Sequence, residues 1–155
     1  MLVAARNLDE RLTEALRERG LRVTAQRIVI NRVLHELYEH VTAEEMLQAV
    51  AERLPGVSLP TVYATLDLLE DLGQVRRVAI PGGPALYDRR TVPHHHMVCR
   101  SCGRAEDIDV DIDLEGALRS ARRRGFESRD AQVLVSGLCA ECATEAPRAA
   151  RRPRS

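Results

Sequence analysis

The sequence predicts an α+β chain, an N-terminal winged helix-turn-helix followed by a small α/β dimerisation domain with a structural zinc site. Three observations carry that expectation. Four capped, amphipathic segments run one after another up to Gly73. Two short strand-like segments follow them, which is the order of a winged helix-turn-helix. Last, all four cysteines of the 155-residue chain fall in two C-x-x-C pairs, Cys99/Cys102 and Cys139/Cys142.

The helices are read from caps and periodicity. Asn7 with Glu10 has the spacing of a capping box and opens a helix with Leu8, Leu12, Ala15 and Leu16 on one face, ended by Gly20. Thr24 opens a second helix carrying Ile28, Val29, Val33, Leu34 and Leu37, and His40-Val41 is its connection to the next. Thr42 with Glu45 forms another capping box, ahead of Met46, Leu47, Val50 and Leu54 and the stop at Pro55-Gly56. Ser58 caps a fourth helix, with Pro60 in its first turn where a missing N–H is harmless, and Val62, Leu66 and Leu69 as its buried stripe. Its exposed side carries Ser58, Thr61, Tyr63, Ala64 and Asp67, and in a winged helix-turn-helix that side faces the major groove. Strands are expected at 75–80 and 85–87, joined by Pro81-Gly82-Gly83-Pro84.

Beyond Asp88 the pattern changes to strands at 94–99 and 104–110, a helix at 113–124 and a strand at 132–138. The expected division is therefore a winged-helix domain over 1–87, a hinge at 88–93, an α+β domain over 94–143 and a disordered tail over 144–155. So few strands leave open edges and little core, which points to a homodimer.

Composition limits the classes. Formal net charge is zero, so bulk charge alone names no nucleic-acid partner. All 23 basic residues are Arg, however, and Arg11, Arg17, Arg19, Arg22, Arg27 and Arg32 crowd the first helices. Arg suits forked contact with phosphate or guanine, although solvated helix faces account for the same pattern. No apolar run approaches membrane-spanning length and Met1–Ala5 is too short for a signal peptide, so the expected location is the cytoplasm, with no membrane partner. Cysteine pairs in a reducing compartment read as zinc ligands rather than disulfides.

Two C-x-x-C knuckles can close a tetrahedral thiolate cage around Zn²⁺. The histidine run next to them suggests a second metal. His94 and His96 lie two apart on a strand and share a face, whereas His95 and Cys99 take the other. His95 reads as solvent-facing or supporting. Asp88, Asp107 and His40 are further available donors.

Several segments resemble the ferric uptake regulator (Fur) family of metal-dependent repressors. They are Gly20-Leu-Arg-Val-Thr-Ala-Gln-Arg27, Thr42-Ala-Glu-Glu, Ser58-Leu-Pro-Thr-Val-Tyr-Ala-Thr-Leu66, Tyr87-Asp88, His94-His-His-Met-Val-Cys-Arg-Ser-Cys-Gly103 and Gly137-Leu-Cys-Ala-Glu-Cys142. They occur in family order from about residue 8 to 143. The resemblance implies a dimeric, non-enzymatic repressor that binds double-stranded DNA at a palindromic, A·T-rich operator. Within the family the chain is most similar to the peroxide-responsive (PerR-like) branch. That branch binds regulatory Fe²⁺ or Mn²⁺ through three His and two Asp, which fall here on His40, His94, His96, Asp88 and Asp107. A zinc-uptake regulator would place a Cys in its sensing site, and the structural site leaves none; an iron-uptake regulator is the runner-up. The family often has Arg or Asn after the recognition-helix Tyr, where this chain has Ala64. DNA contact is accordingly expected from Arg22, Ser58, Thr61 and Tyr63.

Overall fold

A computed structural model describes residues 2–37, 40–128 and 131–145. The chain divides into two compact units, Met1–Thr91 and Val92–Ser155. In the first, α1 (Leu2–Glu18) is followed by α2 (Ala25–Glu36), a two-residue strand β1 (His40–Val41), α3 (Ala43–Ala51), α4 (Leu59–Asp71), β2 (Arg76–Val78) and β3 (Leu86–Asp88).

Local signals explain most of these boundaries. The Thr24 side chain accepts from the Arg27 N–H and starts α2. At α3 the capping box is complete, with Thr42 N–H donating to Glu45 at 2.7 Å and Glu45 N–H donating to the Thr42 hydroxyl at 3.1 Å. Helix α4 ends at Gly73, whose φ of 69° is the left-handed conformation that favours glycine. The Gly73 and Gln74 N–H groups then close the last turn onto Glu70 and Leu69.

Two caps differ from expectation. Helix α1 runs through Asn7, because four of the five residues from Leu2 to Arg6 are good helix formers and nothing there breaks the helix. The Asn7/Glu10 spacing is thus a coincidence inside a helix. Ser58 occupies the N-cap of α4 without a side-chain cap bond; its hydroxyl instead lies 3.0 Å from that of Thr61.

The four helices bury one apolar stripe each. Leu12 and Leu16 of α1, Ile30 and Leu34 of α2, Met46 and Val50 of α3, and Val62, Leu66 and Leu69 of α4 form a single core. Each such side chain contributes roughly 1.5–3 kcal/mol by leaving water. The sheet order is β1-β3-β2, antiparallel throughout, so the expected connection at His40-Val41 is instead an edge strand. Tyr87 of the central strand is wholly buried in that core.

The second unit contains β4 (His95–Cys99), β5 (Ala105–Ile108), α5 (Leu114–Arg123), β6 (Leu134–Gly137) and α6 (Ala140–Glu145). Strand β4 is central, antiparallel to β5 and parallel to β6. Asp113 caps α5 by accepting from the Gly116 N–H at 3.0 Å. Helix α6 was not anticipated: six residues are too few to show a period. Of the expected tail, Thr144 and Glu145 end α6 and 146–155 lie outside the described residues.

The caps make a paired prediction for urea unfolding. Thr42→Ala should cost about 1 kcal/mol, whereas Asn7→Ala, inside a helix, should gain a few tenths of a kcal/mol. A loss of about 1 kcal/mol at Asn7 would place the start of α1 there after all.

Candidate metal centres and nucleic-acid interface

The two cysteine knuckles come together in the second unit. Parallel pairing of β4 with β6 sets Cys99 opposite Gly137, two residues before Cys139. A tight turn at Gly103, closed by its N–H onto the Cys99 carbonyl, brings Cys102 back beside Cys99. The four sulfurs lie within 4.8 Å of one another, and Cys102 and Cys139 Sγ are 3.9 Å apart. Disulfide sulfurs would be bonded at about 2.05 Å; sulfurs around tetrahedral Zn²⁺, with Zn–S near 2.3 Å, sit roughly 3.8 Å apart. The spacing fits the ion.

Electrostatics agree with the spacing. Backbone N–H groups of Cys102 and then Cys139 point at Cys99 and pull its thiol down to about 6. At Cys142 the Ser101 hydroxyl pulls downward, but burial and the neighbouring sulfurs outweigh it and push that thiol up to about 12. Crowded thiols resist losing every proton without a cation among them. On the surface, Arg104 pairs with Glu141 at 2.8 Å and ties the first knuckle to α6.

A second cluster occupies the same unit. His94 and His96 rings sit 4.3 Å apart between centroids, and Asp107 is the register partner of His96 on β5. Asp107 Oδ1 lies 3.1 Å from His94 Nε2 and 3.7 Å from His96 Nε2. His94 Nδ1 lies 2.8 Å from the Val92 carbonyl, which can only accept, so the proton of the neutral ring is on Nδ1. The Nε2 lone pair then faces a carboxylate oxygen, an arrangement that calls for a shared proton or a metal ion between them. Both imidazoles are almost fully buried.

The first unit holds an imidazole–carboxylate pair of its own. His40 and Asp88 are register partners on β1 and β3, with His40 Nε2 3.8 Å from Asp88 Oδ2. Asp88 is completely buried, and its Oδ1 is fixed by the Arg90 N–H at 2.7 Å. Its other oxygen is the one turned to the histidine.

Helix α4 presents the candidate nucleic-acid face. Arg22 and Thr61 meet across a groove of about 420 Å³ between the starts of α2 and α4, with Arg27, Pro60 and Ala64 also on its wall. Ser58 and Tyr63 are not on that wall. Ser58 is engaged with Thr61, while the Tyr63 hydroxyl donates to Glu44 of α3 at 3.1 Å. One turn along α4, Asp67 accepts from the buried Tyr87 hydroxyl at 3.1 Å. Burial first, and then the Asp67 charge and hydrogen bond, push the Tyr87 phenol up to about 12.

Several polar partnerships were not read from the sequence, two of them at buried residues. His95 is buried rather than solvent-facing, and its Nδ1 accepts from the Val133 N–H at 3.3 Å. A histidine between two others on a strand gives no sign of that bond. Tyr87 and Asp67 are twenty residues apart in sequence, so their bond is visible only once β3 packs beneath α4.

Residues 18–136 match the pattern of the ferric uptake regulator family. The chain is 37% identical over 123 residues to ferric uptake regulation protein 1 of Mycolicibacterium fortuitum, covering 79% of this chain and 76% of that protein. It is 30% identical over 142 residues to the peroxide-responsive repressor PerR of Staphylococcus epidermidis, covering 90% and 95%. Among solved structures it resembles the ferric uptake regulator of Pseudomonas aeruginosa with manganese, at 32% identity, a TM-score of 0.61 and coverage of 83% and 97%.

The raised Tyr87 value gives a pH prediction. Folding favours its neutral phenol, so its contribution is intact below the ordinary value of 10 and is lost as pH rises from there to about 12. Alkaline titration of phenolate absorbance should show a late phase near pH 12 that Tyr87→Phe removes.

Proposed function

From the membership of this chain in the ferric uptake regulator family, whose proteins are metal-dependent transcriptional regulators, we propose a cytoplasmic repressor that binds palindromic, A·T-rich operator DNA as a homodimer and senses hydrogen peroxide. Residues 1–87 read DNA, 94–143 dimerise and 88–93 act as the hinge. Zn²⁺ is held by Cys99, Cys102, Cys139 and Cys142. Fe²⁺ or Mn²⁺ is held by His40, Asp88, His94, His96 and Asp107. The observation that carries the second ion is the convergence of two buried imidazole nitrogens on one carboxylate oxygen, His94 Nε2 at 3.1 Å and His96 Nε2 at 3.7 Å from Asp107 Oδ1. Adjacent ligands on bonds of about 2.1 Å lie roughly 3 Å apart at a right angle. Nitrogen and oxygen donors without sulfur suit Fe²⁺ or Mn²⁺.

His40 and Asp88 belong to one unit and His94, His96 and Asp107 to the other, so a shared ion joins the two. An ion can shift the arrangement of units only by its difference in affinity between arrangements, and five ligands drawn from both make that difference large. In the DNA-reading unit the effect has a short route. Asp88 is next to Tyr87 on β3, and Tyr87 is bonded to Asp67 of α4. Arg22, Ser58, Thr61 and Tyr63 then meet DNA, with Arg22 suited to a narrow minor groove.

Bound Fe²⁺ supplies the one-electron chemistry by which peroxide gives one oxygen atom to a ligand imidazole and leaves as water. His40 and His94, one from each unit, are the imidazoles assigned to that loss. Either oxidation removes a ligand and relaxes the tie between units, releasing DNA. The iron-uptake reading stands second, favoured by the higher identity to the M. fortuitum protein than to the staphylococcal one.

Two measurements test this. Full-length protein loaded with Fe²⁺ and treated with peroxide should gain one oxygen on the peptides containing His40 or His94 and lose DNA retention, while Mn²⁺-loaded protein should do neither. Oxygen-free peptides would remove peroxide sensing and leave the iron-uptake reading. Separately, His40→Ala should keep its zinc but lose Mn²⁺-dependent gel retardation, whereas Cys102→Ser should lose the zinc.

A further inference from the structure

The Tyr63 hydroxyl has one hydrogen to donate, and it points at Glu44 Oε1, 3.1 Å away. Glu44 is available for that role because the cap of α3 is completed by its neighbour Glu45. Glu44 lies in the first turn of α3, and Tyr63 lies in the first half of α4, so the bond joins the two helices of the helix-turn-helix at the face that reads DNA. The hydrogen bond from Tyr63 to Glu44 is also the largest cause holding that phenol neutral above its ordinary range.

Charge along α4 is uneven. Arg22 and Arg27 flank its start, where the groove lies. Farther along, Tyr63 has the Glu44 carboxylate against its hydroxyl and Asp67 one turn away, with Arg77 the cation that acts on it. Phosphate fits the first region. The second repels it.

We propose that Glu44 is a specificity-determining positioning residue, which fixes the Tyr63 ring and takes up its hydroxyl donor so that the ring meets bases rather than phosphate. This rests on the DNA-binding reading of α4 above. With its hydrogen engaged, Tyr63 offers an apolar edge and lone pairs only. It accepts a thymine methyl or a base amino group and turns away guanine O6 and N7, which need a donor.

The test is selection from a randomised duplex library by full-length, Mn²⁺-loaded wild type, Glu44→Gln, Glu44→Ala, Tyr63→Phe and the Glu44→Ala/Tyr63→Phe double variant. Affinities for the wild-type consensus and its single-base variants are then measured across salt. Gln can still accept the hydroxyl, so Glu44→Gln should select the wild-type consensus. Glu44→Ala and Tyr63→Phe should each relax the same base pairs, taking a mismatch penalty of roughly tenfold down to about threefold or less. The double variant should be no worse than either single, since both remove one interaction. Tyr63→Phe should leave the salt dependence unchanged. Three results overturn the inference alone: unaltered base penalties in Glu44→Ala and Tyr63→Phe, a Glu44→Gln variant as relaxed as Glu44→Ala, or a uniform loss of affinity in Tyr63→Phe with the salt slope reduced by about 1, the mark of a phosphate contact. A wild-type protein that enriches no sequence overturns the DNA reading together with the inference.

Discussion

A carboxylate taken out of water needs a compensating charge or several hydrogen bonds, or its burial costs several kcal/mol. Asp88 is fully buried and Asp107 largely so, and each unit is arranged around that requirement. In the first unit, β1 exists to set His40 across from Asp88, and the Arg90 N–H holds the remaining oxygen. In the second, β5 brings Asp107 beneath two imidazoles whose nitrogens converge on one oxygen atom. A cation seated among these atoms would meet both the imidazole nitrogens and the buried carboxylates, as the proposed regulatory site requires.

The winged-helix unit shows how a polar network can overlie an apolar core without weakening it. Its leucines and valines are sealed beneath the helices, and the polar links run above them from strand to helix. Tyr87 belongs to both layers, its ring in the core and its hydroxyl on Asp67. A tyrosine suits that place because it combines a large apolar body with one polar end.

Legibility in the sequence followed the range of the interaction. Thr24, the Thr42/Glu45 box and Gly73 act within a single turn, and each was readable from residues three or four apart. The capping pattern at Asn7 misled because the helix had already begun upstream, among residues with no sharp stop signal. Strand β1 has two residues and takes its identity wholly from pairing with β3, so no local period could reveal it. For the metal clusters, residue chemistry and two-residue alternation gave the four thiolates and the His94/His96 pair, while His40, Asp88 and Asp107 joined a ligand set only through the family resemblance; the burial of His95 depends on Val133, which carries no chemical signal of its own.

Three identical letters in a row pose a problem of alignment. If β4 slipped by one residue against its neighbours, every side chain would change face. His95 would then take one of the two places that His94 and His96 now hold, and Pro93 or Met97 the other. The histidine run thus guards its register only in part, since one imidazole survives either slip. Cys99 guards it fully, because the same slip would bring Val98 or Arg100 to the place of its sulfur among the other three. The thiolate cluster, four positions along the strand, works as a proof-reader: only one threading of β4 completes it, and that threading also presents the correct imidazoles.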